Sequence, residues 1–198
     1  MPVGYLSTGQ KKRAAFARLI GQAAPVWLLD EPLNGLDARG RAAFLRALRL
    51  VSSPRTAWVL TSHRRSDAPT GLTHVAHMAH GVIATVTDLR AGATDAALAR
   101  PESRTAARVE IAQASKHGVQ GGVDNGRISS PRPLLQLQRA AVYRDESVVV
   151  GRCDWTLERG QHWLLRGANG SGKSTFMAML YGDLWPAHGG TRVRRWPT

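Results

Sequence analysis

The chain has a single cysteine, Cys153, so no internal disulfide can hold it together. It has no apolar run near the ~18 residues that a membrane-crossing helix requires. Trp27 to Leu29 and Val148 to Val150 are only the length of core strands. No basic region leads into an apolar stretch at the start, so no secretory signal is read there. Acidic residues are scarce, 14 against 27 Lys and Arg, giving a formal net charge of +13. That imbalance invites a nucleic-acid or anionic-surface reading. Aromatics, however, are only 6% of the chain, and few stand among the basic residues as stacking platforms. The basic residues are nearly all arginine, scattered, in an alanine-rich chain, as a GC-rich coding bias would produce. The tightest cluster is Arg192, Arg194 and Arg195. Nucleic-acid binding is therefore not expected, and a soluble cytoplasmic protein is. The 198 residues, 43% of them hydrophobic, suffice for one domain or two half-domains with a core.

The pattern alternates helices with short buried-type strands. Tyr5 to Gln22 reads as a helix with Ser7 as N-cap and Ala14, Ala15, Ala17, Leu19 and Ile20 as its apolar face. Val26 to Leu29 reads as a buried parallel strand ending at Asp30. Ala38 to Leu50 is helical, with Phe44, Leu45 and Leu48 on one side. Thr56 to Thr61 is a second buried strand, closed by Ser62 and His63. Thr73 to Thr85 reads as two strands with a turn at His80-Gly81, and Leu89 to Ile111 as partly helical. The stretch 116–133, rich in Gly, Ser, Asn and Pro, reads as a linker. Leu135 to Tyr143, Ser147 to Leu157 and His162 to Arg166 read as strands, and Ser174 to Tyr181 as a helix.

The strongest chemical signal is Gly167-Ala168-Asn169-Gly170-Ser171-Gly172-Lys173-Ser174-Thr175. It fits the pattern G-x-x-x-x-G-K-[ST] in full. Its glycines let successive backbone N–H groups curl toward phosphate oxygens. Lys173 sets a positive charge on the β- and γ-phosphates, and Ser174 offers a hydroxyl to Mg²⁺. A strand leads in and a helix leads out, so the helix N-terminus faces the phosphates. The run Val26 to Glu31 is weaker alone, since acidic residues at a strand tip can simply cap a helix. Beside a phosphate loop, Asp30 suits the Mg²⁺ shell through water, and Glu31 suits an attacking water. The pentad Leu6-Ser7-Thr8-Gly9-Gln10 draws its meaning from the residues downstream: the acidic pair, Asn34-Gly35-Leu36-Asp37, and His63 at the next strand end.

In these residues the chain resembles the ATP-binding cassette ATPases. Leu6 to Gln10 looks like the family signature, with Thr8 where glycine is common. Val26 to Glu31 looks like the Walker B strand with its catalytic glutamate. Asn34 to Asp37 resembles the D-loop, His63 the switch histidine, and Tyr143 the aromatic that stacks on adenine. Gln161 to Leu165 and Gly71-Leu72-Thr73-His74 are similar to tandem cassettes of the molybdate-transport and photorepair type. The resemblance implies an α/β P-loop NTPase fold with a RecA-like, mostly parallel sheet. Part of the antiparallel β-subdomain should be present and the helical subdomain incomplete. It implies ATP and Mg²⁺ as ligands, with Glu31 and His63 catalytic and Ser174 and Asp30 at the metal. Tyr143, Gly167, Asn169, Gly170, Ser171, Gly172, Lys173, Ser174 and Thr175 would bind nucleotide. Ser7, Gly9, Gln10 and Asp37 would meet nucleotide across a cassette interface. The implied partner is a second cassette, in the same polypeptide or as a homodimer, with a separate membrane permease where the task is transport. In that case the resemblance implies a cytoplasmic protein, peripheral at the inner face of the membrane.

The motif order departs from the family, because the phosphate loop comes last. No Q-loop candidate stands between it and a signature. One expectation is a tandem protein's junction: 1–115 as the last half of one cassette, 116–133 as linker, and 134–198 as the first half of the next. Glu31 and His63 would then serve a different phosphate loop. The other is closure of the halves into a permuted cassette, with the Walker B, switch and phosphate-loop strands adjacent in one sheet. Closure is favoured, because buried-type strands left as open edges are costly. The isolated chain is expected to be a weak or inactive ATPase. A non-hydrolysing regulatory or nucleic-acid-associated cassette is the alternative function. His74, His77 and His80 fall on strand and turn rather than a helix face, so zinc is not expected. Ser62, His63 and Asp67 are too close in sequence for a hydrolase triad. Cys153 reads as a core residue.

Overall fold

The structure is a computed structural model describing residues 8–21, 24–91 and 133–195. The first half contributes α1 (Thr8–Gly21), β1 (Val26–Leu29), α2 (Ala38–Val51), β2 (Ala57–Ser62), β3 (His74–Ala79) and β4 (Val82–Asp88). The second contributes β5 (Leu135–Arg144), β6 (Ser147–Leu157), β7 (His162–Arg166), α3 (Lys173–Tyr181) and β8 (Thr191–Arg194). Five strands form one sheet in the order β1-β2-β7-β3-β4. The first four are parallel, and β4 returns antiparallel along the edge. A second, antiparallel sheet has the order β6-β5-β8.

β7 explains why the halves hold together. It lies between β2 and β3, pairing Leu60 with Leu164 on one side and Val75 with Leu164 on the other. Without it both first-half strands would expose an unpaired edge. Side chains alternate across the sheet with period two, and two cores result. Ala57, Val59, Ala76, Met78, Trp163 and Leu165 pack on one face, with α3 and the antiparallel sheet. Trp58, Leu60, Val75 and Leu164 pack on the other, with Phe16, Trp27, Phe44 and Leu48. Both cores mix residues from the two halves. Each fully buried large side chain contributes ~1.5–3 kcal/mol. The neighbour order expected for closure, Walker B strand, switch strand, phosphate-loop strand, is the order of this sheet.

The apolar face read for the first helix differs from the one used. Ala14, Ala15 and Ala17 are exposed, as is Ile20, and Phe16 is the buried residue. Phe16 lies 4.0 Å from the Phe44 ring and edge-on to Trp27, and that aromatic packing sets the helix rotation. α2 is as read. The Asp37 carboxylate accepts from Gly40 N at 2.7 Å as N-cap, and Phe44 and Leu48 face the core. β8 was missed. Thr191 to Arg194 is short, mostly exposed, and looks like part of a basic tail. The arginines serve the fold instead. Arg192 donates to Met179 O at 2.9 Å and Leu184 O at 3.3 Å, and Arg194 donates to Tyr181 O at 2.8 Å. They satisfy carbonyls at and just beyond the C-terminal end of α3, where the helix dipole also favours cations. Of the stretch read as partly helical, only the 3₁₀ turn Leu89–Ala91 is described. The rest, and nearly all of 116–133, lies outside the described residues.

Candidate functional site

In parallel strands the C-terminal ends share one edge, and loops leaving that edge converge. β1 ends there at Asp30-Glu31, β2 at His63, and β7 at Gly167. Register makes the convergence close: Leu29, Leu60 and Leu164 stand in one row across the three strands. Asp30 and Thr61 therefore sit one step beyond that row.

The loop after β7 is pressed against its neighbours. A Cβ on Gly167 would meet Met78 O and Ser171 Oγ, each at 2.4 Å. Gly172 has φ +96°, and its Cβ would lie 2.8 Å from Val149 O. Gly81 N donates to Ser171 O at 3.1 Å, which ties the loop to the β3–β4 turn. Asn169 and Gly170 are exposed at the loop tip, Ser174 is exposed on the first turn of α3, and Thr175 is half-buried.

Lys173 is buried at the start of α3. Its Nζ donates to Gly167 O at 3.0 Å and Ala168 O at 2.9 Å. Glu31 Oε1 is 3.5 Å away. The two motifs, far apart in sequence, thus meet in one ion pair. The other Glu31 oxygen accepts from Asn34 Nδ2. Glu31 has φ +41°, an uncommon backbone state for a side-chain-bearing residue. Thr61 Oγ1 donates to Asp30 Oδ1 at 2.7 Å and accepts from Glu31 N at 2.7 Å.

His63 Nε2 accepts from Arg64 Nε at 3.3 Å, so the ring hydrogen sits on Nδ1. That Nδ1 is buried with no hydrogen-bond partner among the described residues, and Ser171 Oγ is in the same condition. Beneath His63, Ser62 Oγ donates to the buried Asp67 at 2.7 Å, and Asp67 also accepts from Arg41 at 2.8 Å. Tyr143 is 54% exposed on β5, opposite the equally open Val148 on β6. Asp37 spends one carboxylate oxygen on its cap. Ser7 lies outside the described residues, and Gly9 and Gln10 are described only as backbone of α1. The histidines beyond the site have other work: His74 stacks on Trp163 with ring centroids 4.3 Å apart. Burial is the main cause that brings its pKa down to about 4, against the pull of Asp88.

The sequence reading overlooked Thr61 and the Ser62–Asp67–Arg41 chain. Thr61 depends on cross-strand placement, and the second chain on α2 bringing Arg41 to the 3₁₀ turn that carries Asp67; the only cue in the sequence is a polar residue closing an otherwise apolar strand.

A glycine cradle, a buried lysine and two orphaned polar atoms suit a bound polyphosphate. With an acidic pair two strands away in the same parallel sheet, they have the arrangement of a P-loop nucleotide-binding fold. Residues 150–196 match the ABC transporter family. The cytochrome c biogenesis ATP-binding export protein CcmA of Novosphingobium aromaticivorans is 50% identical over 64 residues, 32% of this chain and 34% of its own. The ABC transporter ATP-binding protein ModF of Escherichia coli is 26% identical over 185 residues, 90% of this chain and 36% of its own. An uncharacterized ABC transporter ATP-binding protein of Schizosaccharomyces pombe is 27% identical over 179 residues, 90% of this chain and 34% of its own. Over these stretches the chain is similar to ABC ATP-binding proteins. It spans about a third of the length of these relatives. Among the described residues no helix is long and apolar enough to cross a membrane.

Proposed function

We propose that the chain binds ATP with Mg²⁺ at the loop 167–175, and that Glu31 and His63 belong to the same site. The observation that carries this reading is the 3.5 Å approach of Lys173 Nζ to Glu31 Oε1. The lysine and the loop N–H groups hold the β- and γ-phosphates, and Tyr143 with Val148 offers the base an apolar platform. Ser174 and Asp30 would hold Mg²⁺, the latter through water, and the ion would screen phosphate charge. Glu31, released from Lys173 by the incoming phosphate, would orient an attacking water and draw its proton. The Nδ1–H of His63 is a ready donor to a terminal phosphate oxygen. Ser7, Gly9 and Gln10 would face nucleotide on a second cassette, in the same polypeptide or a second copy. In the intact protein, closure of two cassettes on ATP would drive transport through a separate permease or another mechanical task.

A second reading comes from the similarity to ModF, which covers 90% of this chain. A signature half preceding a phosphate-loop half in a longer polypeptide supports the division 1–115, 116–133 and 134–198. Lys173 would then share nucleotide with Ser7, and Glu31 would serve another loop.

Calorimetric titration with ATP and Mg²⁺ tests the proposal. Lys173→Ala abolishes binding, and unchanged affinity in that variant overturns it. In the intact protein Glu31→Gln keeps binding and slows turnover. Turnover at the wild-type rate removes Glu31 from the chemistry, and no wild-type turnover at all favours a regulatory cassette.

A further inference from the structure

We infer that the Thr61 hydroxyl positions the acidic pair of the nucleotide site, fixing the Asp30 carboxylate and the Glu31 main chain at once. The inference rests on the nucleotide reading above. Thr61 is fully buried near the end of β2, where every residue is inaccessible. β1 has already ended there, so Asp30 and Glu31 have left the ladder while β2 continues beside them. The hydroxyl fills the gap. Its geometry admits one arrangement of hydrogens. The Glu31 N–H can only donate, so the Thr61 oxygen accepts it at 2.7 Å. The Asp30 carboxylate can only accept, so the single hydroxyl hydrogen goes to Oδ1 at 2.7 Å. Both sides of Thr61 are used, and neither contact can be exchanged for the other.

This has two consequences. With Oδ1 committed to Thr61, Asp30 keeps its second oxygen to receive a water of a cation shell. The bond to Glu31 N supports a backbone at φ +41°, where a glutamate is otherwise strained. That conformation aims the Glu31 side chain at Lys173. Thr61 touches neither nucleotide nor water in this scheme and acts through the two carboxylates. It is therefore a positioning residue.

The test compares ATP affinity with Mg²⁺ and with EDTA, by calorimetry, in wild type, Thr61→Val and Thr61→Ser. Valine keeps the shape and β-branching and removes the hydroxyl. The expected result is equal affinity of all three in EDTA. The tightening that Mg²⁺ confers falls about tenfold in Thr61→Val, the scale of one hydrogen bond to a charged group. Serine, which retains the hydroxyl, restores it. Thr61→Ala, which opens Glu31 N to water, gives the same loss and covers the case in which the valine variant does not fold. Full Mg²⁺ tightening in the valine and alanine variants overturns the inference. So does an equal loss in EDTA, which would mark Thr61 as a general fold residue. A wild type that binds ATP without regard to Mg²⁺ overturns it too, while leaving ATP binding standing. A wild type that binds no ATP overturns the nucleotide reading itself.

Discussion

Leu164→Ala probes the sharing of one sheet by the two halves. Leu164 is fully buried in the middle of β7, between Leu60 of β2 and Val75 of β3. Its core neighbours include Trp27, Phe44 and Trp58, all from the first half. Truncating a fully buried leucine costs ~2–5 kcal/mol, as lost transfer energy plus the cavity left behind. Here strands are paired on both sides, so the walls cannot collapse, and a value near ~4 kcal/mol is expected. With a urea slope of ~2–3 kcal/mol/M, suited to a chain of this size, the unfolding midpoint falls by roughly 1.3–2 M. Circular dichroism in urea measures that shift. Hydrogen exchange read by mass spectrometry locates it. Amides of β1 and β2, which contain no substituted residue, should exchange up to ~10³-fold faster, because they open with β7. Unchanged exchange in β1 and β2, with faster exchange confined to β5, β6, β7 and α3, would refute a shared sheet.

Acid should weaken the fold through His74. Its folded pKa is about 4 against 6.5 unfolded, with Trp163 stacked on it and Asp88 and Arg90 beside it. The unfolded chain takes the proton first, so stability is full above pH 6.5 and is lost as pH falls toward 4, by at most about 3 kcal/mol. His162, also lowered by burial, adds in the same direction. His74→Phe should flatten the melting temperature over that window, and an unaltered pH profile would exclude His74 as the cause. Asp67→Ala should cost ~3–5 kcal/mol in denaturant unfolding, since it strands Arg41 and unpins Ser62 beneath His63. A loss below about 0.5 kcal/mol would make that network ornamental.

What could be read from residue order alone divides by physical cause. β1, β2 and β7 were legible because strands covered wholly or partly on both faces leave short apolar runs, and each ended at a polar motif. The loop 167–175 was legible as a tight turn because a backbone pressed this close to its neighbours demands glycines at fixed places, here Gly167 and Gly172. α1 was misread because alanine carries little information about burial: one phenylalanine outweighed three alanines. β8 was invisible because its role is to return arginines to the carbonyls of α3, and arginine is not a strand signal. Thr61 became meaningful only once register set it opposite Asp30. Residues that act through their own backbone or charge announce themselves, whereas those that act through a neighbour on another strand do not.

The insertion of β7 between β2 and β3 also sets a timetable for synthesis. When Ala79 has been made, β2 and β3 already exist, yet the strand that separates them does not. About eighty more residues must be added before His162–Arg166 appears. At 5–20 residues per second that is roughly 4–16 s. Throughout that interval two apolar strands have the chemistry to pair with each other, or with a neighbouring chain, in the slot reserved for β7. Folding of this protein is thus a race between premature pairing and a strand still on its way. A ribosome that slowed within that stretch would lengthen the vulnerable interval without altering a single native contact.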